Sequence, residues 1–277
     1  MSVPISVGRA LAQAGLVPVD AQVLLAQITG QNRAWLAAHC DASLTPAQSD
    51  TFLALAKRRR NGEPVAYLTS VREFWGLPMC VSPAVLIPRP ETETLVELAL
   101  RCLPVNRATR VLDLGTGSGA IALALAKERP QAWVVATDVS AAALAVAREN
   151  GGRLGIDNVE WQHSDWYARL ASSAVAFDLI VSNPPYIAAG DPHLTEGDLR
   201  FEPAEALIAG LDGLDDLRRI VAGAPIWLRA EGVLAVEHGF DQSERVQALL
   251  RDAGFDDVNS VRDLAGILRV THGRRPA

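Results

Sequence analysis

The hydrophobic rhythm of the chain changes twice. From residue 1 to about residue 65, apolar positions recur at helical spacing in short blocks. Val7 to Gly15 closes on a glycine stop, and Asp20 to Ile28 carries a second amphipathic block that ends at Gly30. Thr45-Pro46 joins an N-cap hydroxyl to a proline at the first helical position. The helix it opens carries Phe52, Leu53, Leu55 and Ala56 and ends near Asn61-Gly62. These blocks predict a small helical domain over residues 1-70.

From Phe74 to Pro88 the pattern turns to aromatic and β-branched residues broken by Gly76, Pro78 and Pro83, which predicts a β-hairpin or extended linker over 71-88. Pro88-Arg89-Pro90 then leads into a helix whose first turn is acidic, Glu91-Thr92-Glu93. The rest, 89-277, alternates strand and helix. Strand 110–114 precedes helix 120–128, and strand 133–137 precedes helix 141–150. Further strands are expected around 159–161, at 177–182 and at 232–237. A helix over 242–253 then leads to a hairpin-like stretch, 258–271. Repeated βα units predict an α/β fold with a mostly parallel, doubly wound sheet, whose ligands bind at the carboxyl ends of its strands.

Two motifs fall at such ends. The apolar run Phe177 to Ser182 stops at Asn183-Pro184-Pro185-Tyr186. Neither proline can donate a backbone N–H, and each biases the residue before it away from helix. The strand ladder must therefore end there. An amide side chain, two main-chain carbonyls and a flat ring suit a substrate that carries a planar –NH2 group. Pro-Pro also terminates strands without any such role, so the motif needs a second observation.

The second motif joins the first parallel strand to its helix: Asp113-Leu114-Gly115-Thr116-Gly117-Ser118-Gly119-Ala120. Its glycines fit both a dinucleotide loop and the loop of S-adenosylmethionine enzymes. Asp113 separates the two. A carboxylate there repels a pyrophosphate and attracts the ammonium of a methionine moiety. Asp138, at the end of the next strand, stands where an acidic group binds ribose hydroxyls. Asp165-Trp166 follows the third strand and offers a polar group and an aromatic face for adenine, or a buried tryptophan only.

Charge and composition narrow the class. A formal net charge of -6 argues against a surface built for duplex phosphate. The basic runs Lys57 to Arg60 and Arg274-Arg275 read as solvated helix ends or surface. Cys40, Cys80 and Cys102 are odd in number and far apart, and neither they nor the five histidines show metal-ligand spacing. This fits a reducing cytosol. With no signal-like N-terminus and no membrane-spanning apolar run, a cytoplasmic protein is expected.

Taken together the motifs resemble the PrmC/HemK family, the N5-glutamine methyltransferases of class-1 peptide chain release factors. The resemblance runs over nearly the whole chain. It rests on Gly62 to Leu68, Glu73 to Leu77, Leu86-Ile87-Pro88-Arg89-Pro90-Glu91-Thr92-Glu93, Asp113 to Ala120 and Asn183 to Tyr186. Arg200-Phe201-Glu202-Pro203, Gly213-Leu214-Asp215 and Glu237-His238-Gly239 complete it. Ser70 departs from it where a glycine is common, Asn150-Gly151-Gly152 is richer in glycine than the usual helix end, and Leu268 replaces an Asp before Arg269.

The resemblance implies a class I, Rossmann-like methyltransferase domain and a docking unit made by the N-terminal helices with loop 187–203. S-adenosyl-L-methionine is the implied methyl donor, and a release-factor domain with a Gly-Gly-Gln tip is the implied partner. A monomer without direct nucleic-acid contact is expected. Asp113, Gly115, Thr116, Gly117, Ser118, Gly119, Asp138, Asp165, Trp166 and Asn183 are the expected donor-binding residues. Asn183 and the carbonyl of Pro184 would accept the two N–H bonds of the glutamine amide, with Tyr186 packed against it and Pro185 beside it. Arg89, Glu91 and Thr92 are candidate pocket walls, although helix capping accounts equally for Glu91 and Thr92. His193 and His238 are read as structural. The remaining alternatives are an adenine or cytosine amino-methyltransferase, a ribosomal-protein glutamine methyltransferase, a non-catalytic binder of adenosylmethionine and, disfavoured by Asp113, a nicotinamide oxidoreductase.

Overall fold

The computed structural model describes residues 5–170 and 176–277. They divide into two compact units, one holding the chain up to Val71 together with Thr195–Phe201, the other Arg72–Leu194 and Glu202–Ala277.

The first unit packs α1 (Val7–Gln13), α2 (Pro18–Thr29), α3 (Arg33–Ala38), α4 (Pro46–Arg60) and α5 (Val65–Thr69) around Leu24, Leu25, Leu36 and Phe52. Helix α4 begins on a full capping box: the Thr45 hydroxyl accepts from Gln48 N–H, and the Gln48 side chain accepts from Thr45 N–H. Helix α2 ends on Gly30 at φ 68°. Helices α3 and α5 were not anticipated, because five or six residues carry too little periodicity to register. Ser70 caps α5 with φ 59°, the left-handed region that explains why glycine is the easier residue there. The basic run at the end of α4 is more than a solvated face. Arg58 pairs with Glu63, Arg59 bridges Asp20 and Asp198, and Arg60 donates to the carbonyl of Ala14.

The hairpin β1 (Val71–Phe74) and β2 (Leu77–Cys80) is followed by an irregular stretch and a 3-10 turn, Pro90–Thr92, that opens α6 (Glu93–Cys102). Then come β3 (Thr109–Leu114), α7 (Ala120–Glu128), β4 (Ala132–Asp138), α8 (Ala141–Leu154), β5 (Val159–His163) and β6 (Phe177–Ser182). The chain continues through α9 (Asp215–Trp227), β7 (Leu228–Glu237), α10 (Ser243–Asp252), β8 (Asp256–Arg262) and β9 (Leu268–Arg274). The sheet order is β5-β4-β3-β6-β7-β9-β8; β9 is antiparallel to both neighbours and the other pairings are parallel. Apolar residues of α6 and α7 cover one face, and those of α9 and α10 the other. This is the class I methyltransferase architecture.

Strand order reverses between β3 and β6, which pair with Asp113 opposite Val181 and Leu114 opposite Ser182. Both motifs therefore leave the sheet side by side at its switch point. Helix α8 runs to Leu154, four residues past its expected end, because Asn150 is a buried tie and not a stop. Its Oδ1 accepts from Cys80 N–H at 2.6 Å, and its Nδ2 donates to the carbonyls of Cys80 and Ser118 at 3.0 and 2.9 Å. One side chain thus fastens the hairpin, the glycine loop and α8. Among the described residues, no helix is long and apolar enough to cross a membrane, and no cluster of His, Cys, Asp and Glu could hold a metal ion.

Candidate active site

The glycine loop is folded by carboxylates behind it. Asp113, at the end of β3, is fully buried, and its Oδ2 accepts from the Thr116 hydroxyl at 2.6 Å. Asp138, at the end of β4, accepts from Gly117 N–H and Ser140 N–H, both at 2.8 Å. The N–H of Thr116 goes to the carbonyl of Thr137 and that of Gly119 to Thr116. Three loop amides that a pyrophosphate would need are thus already turned inward onto protein oxygens. Gly115, at φ 70°, lies under the Trp166 ring, 3.2 Å from where a Cβ would stand. A side chain there would push the indole into the space beyond.

Burial raises the Asp113 carboxyl to about 7; the Thr116 hydroxyl opposes this and the Asp138 charge adds to it. Asp138 is raised by burial, against the amides of Ser140 and Gly117. Asp113 Oδ1 is buried with no hydrogen-bond partner. A buried carboxylate oxygen without a full partner is costly; the Ala122 N–H in the first turn of α7 also favours this carboxylate.

Beyond the loop opens a cleft of about 360 Å³, within the range of small-molecule sites. Of the residues singled out by sequence, Arg89, Thr92, Gly115, Thr116, Gly117, Ser118, Asp138, Asp165, Trp166, Asn183 and Pro185 line it. Asp113, Gly119, Pro184, Tyr186 and Glu91 do not: the first stands behind the loop, Gly119 caps α7, and Glu91 is exposed on the 3-10 turn. Several wall residues are already engaged. Arg89 pairs with the buried Glu202, whose other oxygen accepts from Ile87 N–H at 3.0 Å. Asp165 pairs with Arg219 at 2.8 Å, and the Trp166 indole donates to Asp216 at 3.2 Å.

Asp216 and Arg219 come from α9, which sequence reading passed over. Its signal was present: an acidic first turn at Asp215-Asp216, then Leu217, Ile220, Val221 and Ala224 at helical spacing. Pro225 and Gly223 disguised it. Val139, 57% exposed at the cleft, was also missed; an apolar side chain directly after Asp138 is a flat surface for an aromatic ring.

At the other wall, the Ser182 hydroxyl donates to the carbonyl of Leu114 at 2.7 Å and fixes the point where β6 ends. Asn183 follows. Its Nδ2 donates to Thr92 Oγ1 at 3.1 Å, and its Oδ1 is buried without a partner. The Tyr186 carbonyl accepts from Gln242 Nε2 at 2.9 Å, and Ile187 N–H goes to the carbonyl of Leu207. His238 is buried, with Nδ1 on the carbonyl of Gly239 and Nε2 on the Thr271 hydroxyl, as a structural histidine would be. His193 is exposed and pairs with Asp191 at 2.7 Å.

Comparison with known proteins now bears on this geometry. Residues 6–69 match the PrmC N-terminal domain and residues 92–204 the methyltransferase small domain. The chain is 55% identical over 258 residues to the release factor glutamine methyltransferase of Xylella fastidiosa, covering 93% of each. To the Escherichia coli K12 protein of the same name it is 48% identical over 255 residues, covering 92% of this chain and 91% of that one.

The chain belongs to the release factor glutamine methyltransferases.

The methyltransferase fold itself recurs in distant solved structures. A 16S rRNA N2 methyltransferase of Thermus thermophilus, in complex with AdoMet and guanosine, superposes with TM-score 0.56 at 22% identity, over 74% of this chain and 49% of that one. A Pyrococcus furiosus methyltransferase does so with TM-score 0.55 at 17% identity, over 80% and 98%. These likenesses concern architecture. The assignment of this methyltransferase rests on the near-full-length relatives.

Proposed function

We propose that this enzyme transfers a methyl group from S-adenosyl-L-methionine to the side-chain amide nitrogen of the glutamine in the Gly-Gly-Gln motif of class-1 release factors. The observation that carries the reading is Asn183, which lines the cleft and whose Oδ1 is buried with no partner in the protein, an acceptor left unused. Acceptors are what a primary amide substrate requires, and the curated relatives act, by name, on release-factor glutamine.

The residues fit the donor. Asp113, behind the loop, supplies negative charge that attracts its ammonium group. The remaining lone pairs of Asp138 suit the ribose hydroxyls, and Val139 and Trp166 offer apolar faces for adenine. The inward-turned amides of Thr116, Gly117 and Gly119 fit a ligand without phosphate and count against a dinucleotide. Bound adenosylmethionine supplies an electrophilic methyl on a sulfonium, which leaves as a neutral thioether.

Everything else falls to the protein. An amide nitrogen is a weak nucleophile because its lone pair is shared with its carbonyl. Asn183 Oδ1 and the main-chain carbonyl of Pro184 accept its two N–H bonds, hold the nitrogen on the line of attack and raise its electron density. Such positioning is worth roughly 7–11 kcal/mol in favourable cases, and acceptors aimed at developing positive charge add to it. Tyr186 and Pro185 exclude water. As the N–C bond forms, the nitrogen becomes cationic and then releases one proton.

The test is methyl incorporation from labelled adenosylmethionine into purified release factor, its variant with the motif glutamine replaced, and duplex DNA, side by side. Label on the intact factor alone is the expected result. Label on DNA, or on the variant equally, overturns the reading.

A further inference from the structure

Helix α9 has no part in the mechanism above, yet three consecutive residues after β5 are each tied to it. Asp165 pairs with Arg219 at 2.8 Å, and the Trp166 indole N–H donates to Asp216 Oδ1 at 3.2 Å. The Tyr167 hydroxyl donates to the carbonyl of Ile220 at 2.8 Å. Positions 216, 219 and 220 are spaced i, i+3 and i+4, so the three ties gather on one side of the helix. Leu217, Ile220, Val221 and Ala224, all buried, fix the helix to the sheet. Segment 165–167 is therefore seated on a rigid element.

Trp166 is the member of that segment whose place must be held. Its φ is +47°, in the left-handed region that a residue with a side chain adopts only under constraint. The six-membered ring of its indole lies over the glycine loop, 3.2 Å from where a Cβ on Gly115 would stand. Contact with a glycine is flat and gives the ring no lateral stop. The indole N–H is the ring's one polar group, and it can only donate. Its bond to Asp216 is what limits sliding and turning of the ring across the loop.

The two side-chain ties differ in weight. Arg219 and Asp165 have side chains 52% and 51% exposed, and an ion pair so open to water holds little. The Asp216 side chain is 20% exposed, so its bond to the indole is better shielded and holds more. Gly115, Trp166 and Asp216 all line the cleft. We propose that Asp216 is a positioning residue for the methyl donor: through the indole N–H it holds the Trp166 ring over Gly115, so that the aromatic face of the donor site is formed before the donor arrives. A preformed face spares the donor the cost of ordering it. The inference rests on the donor site proposed above.

The experiment measures donor Kd by titration calorimetry, beside kcat on release factor at saturating donor and thermal unfolding without donor. The variants are Asp216→Leu, Asp216→Asn, Trp166→Phe, Trp166→Ala and the double variant Asp216→Leu with Trp166→Phe. Asp216→Leu should raise donor Kd by about 5- to 10-fold, the loss of one shielded hydrogen bond to a charged group, with a smaller change in kcat. Asp216→Asn keeps an acceptor oxygen and should stay within about threefold of wild type. Trp166→Phe keeps a ring but loses the N–H, and in that background Asp216→Leu should add less than about twofold. Wild-type donor Kd in Asp216→Leu overturns the proposal. So does an undiminished effect of Asp216→Leu in the Trp166→Phe background, since Asp216 would then act without the indole, as a merely structural residue or a direct ligand would. An Asp216→Asn variant as weak as Asp216→Leu overturns it as well. Wild-type donor Kd in Trp166→Ala removes the reading of Trp166 as a donor wall instead, and this inference with it.

Discussion

Replacing Gly213 with alanine should disable the enzyme from outside the cleft. Gly213 adopts φ +73°, and a Cβ built there would stand 2.4 Å from the Tyr186 carbonyl oxygen and 2.8 Å from Gln242 Nε2. Ordinary contact begins at 3.4 Å, so the carbonyl would have to retreat by 1.0 Å. The Gln242 side chain, which bonds to both Tyr186 and Gly213 carbonyls, would have to move with it. The left-handed backbone costs an alanine about 1–2 kcal/mol, and a weakened buried hydrogen bond about 1 kcal/mol more. The larger effect is geometric. A shift of about 1 Å in positioning groups can cost about 100-fold in rate, equivalent to about 2.7 kcal/mol of barrier. The assay is kcat for methyl transfer to release factor, beside donor Kd and thermal unfolding. We expect kcat to fall by about 10- to 100-fold, with donor Kd changed by less than about threefold, because the glycine loop lies on a different strand. Gly152→Ala is the control. Gly152 lies within α8 with nothing inside 4 Å of its added Cβ, and should gain about 0.5–1 kcal/mol with activity intact. A Gly213→Ala enzyme with wild-type kcat would refute the argument that this glycine sets the position of Asn183 to Tyr186.

Donor affinity should depend on pH through Asp113. With its carboxyl at about 7 in the free protein, the ionised fraction rises about fivefold between pH 6 and pH 7. Donor Kd should fall by about that factor, and Asp113→Asn should bind weakly with a flat profile; a slope that survives in the variant would assign the titration elsewhere. The same group sets a sign for stability. Its folded value lies above its unfolded one, so the donor-free protein should lose stability as pH rises from about 4 to about 7, and denaturant titrations at several pH values would show it. Ser70→Gly should stabilise by about 0.5–1 kcal/mol, since Ser70 holds φ 59° at the end of α5; a loss on thermal unfolding contradicts that. Asn150→Ala leaves Cys80 N–H and the carbonyls of Cys80 and Ser118 without their buried partner. It should cost about 2–4 kcal/mol and weaken donor binding as the loop loosens.

What could be read from sequence follows from which residues act alone. The glycine loop and Asn183-Pro184-Pro185-Tyr186 were legible because glycine and proline impose backbone geometry wherever they stand, and the central parallel strands carried short apolar cores such as Val134 to Ala136 and Leu179 to Val181. Helix α9 was obscured by Gly223 and Pro225, although Gly223 is there to admit the Tyr167 ring, 2.5 Å from its added Cβ. Asn150 looked like a helix end beside two glycines. Its three bonds reach 70 and 32 residues back along the chain, a distance no local pattern encodes. Glu202 and Glu237 stood in recognisable motifs yet showed no role, since each meets a residue far away in sequence: Arg89 for the one, Tyr186 for the other.

The segment Thr195–Phe201 is packed with the N-terminal helices although it lies in the sequence of the other unit, and Asp198 within it is held by Arg59. The boundary between the units is therefore not one cut in the chain. A fragment begun at residue 72 to isolate the catalytic half would still carry this segment, stripped of its arginine partner and of the helices it packs with. It would hang within the loop that follows Asn183 to Tyr186. Poor behaviour of such a fragment would report on that stranded insert as much as on any docking role of the helices. Separating the two effects takes a second edit, replacing the insert with a short polar bridge in the same fragment.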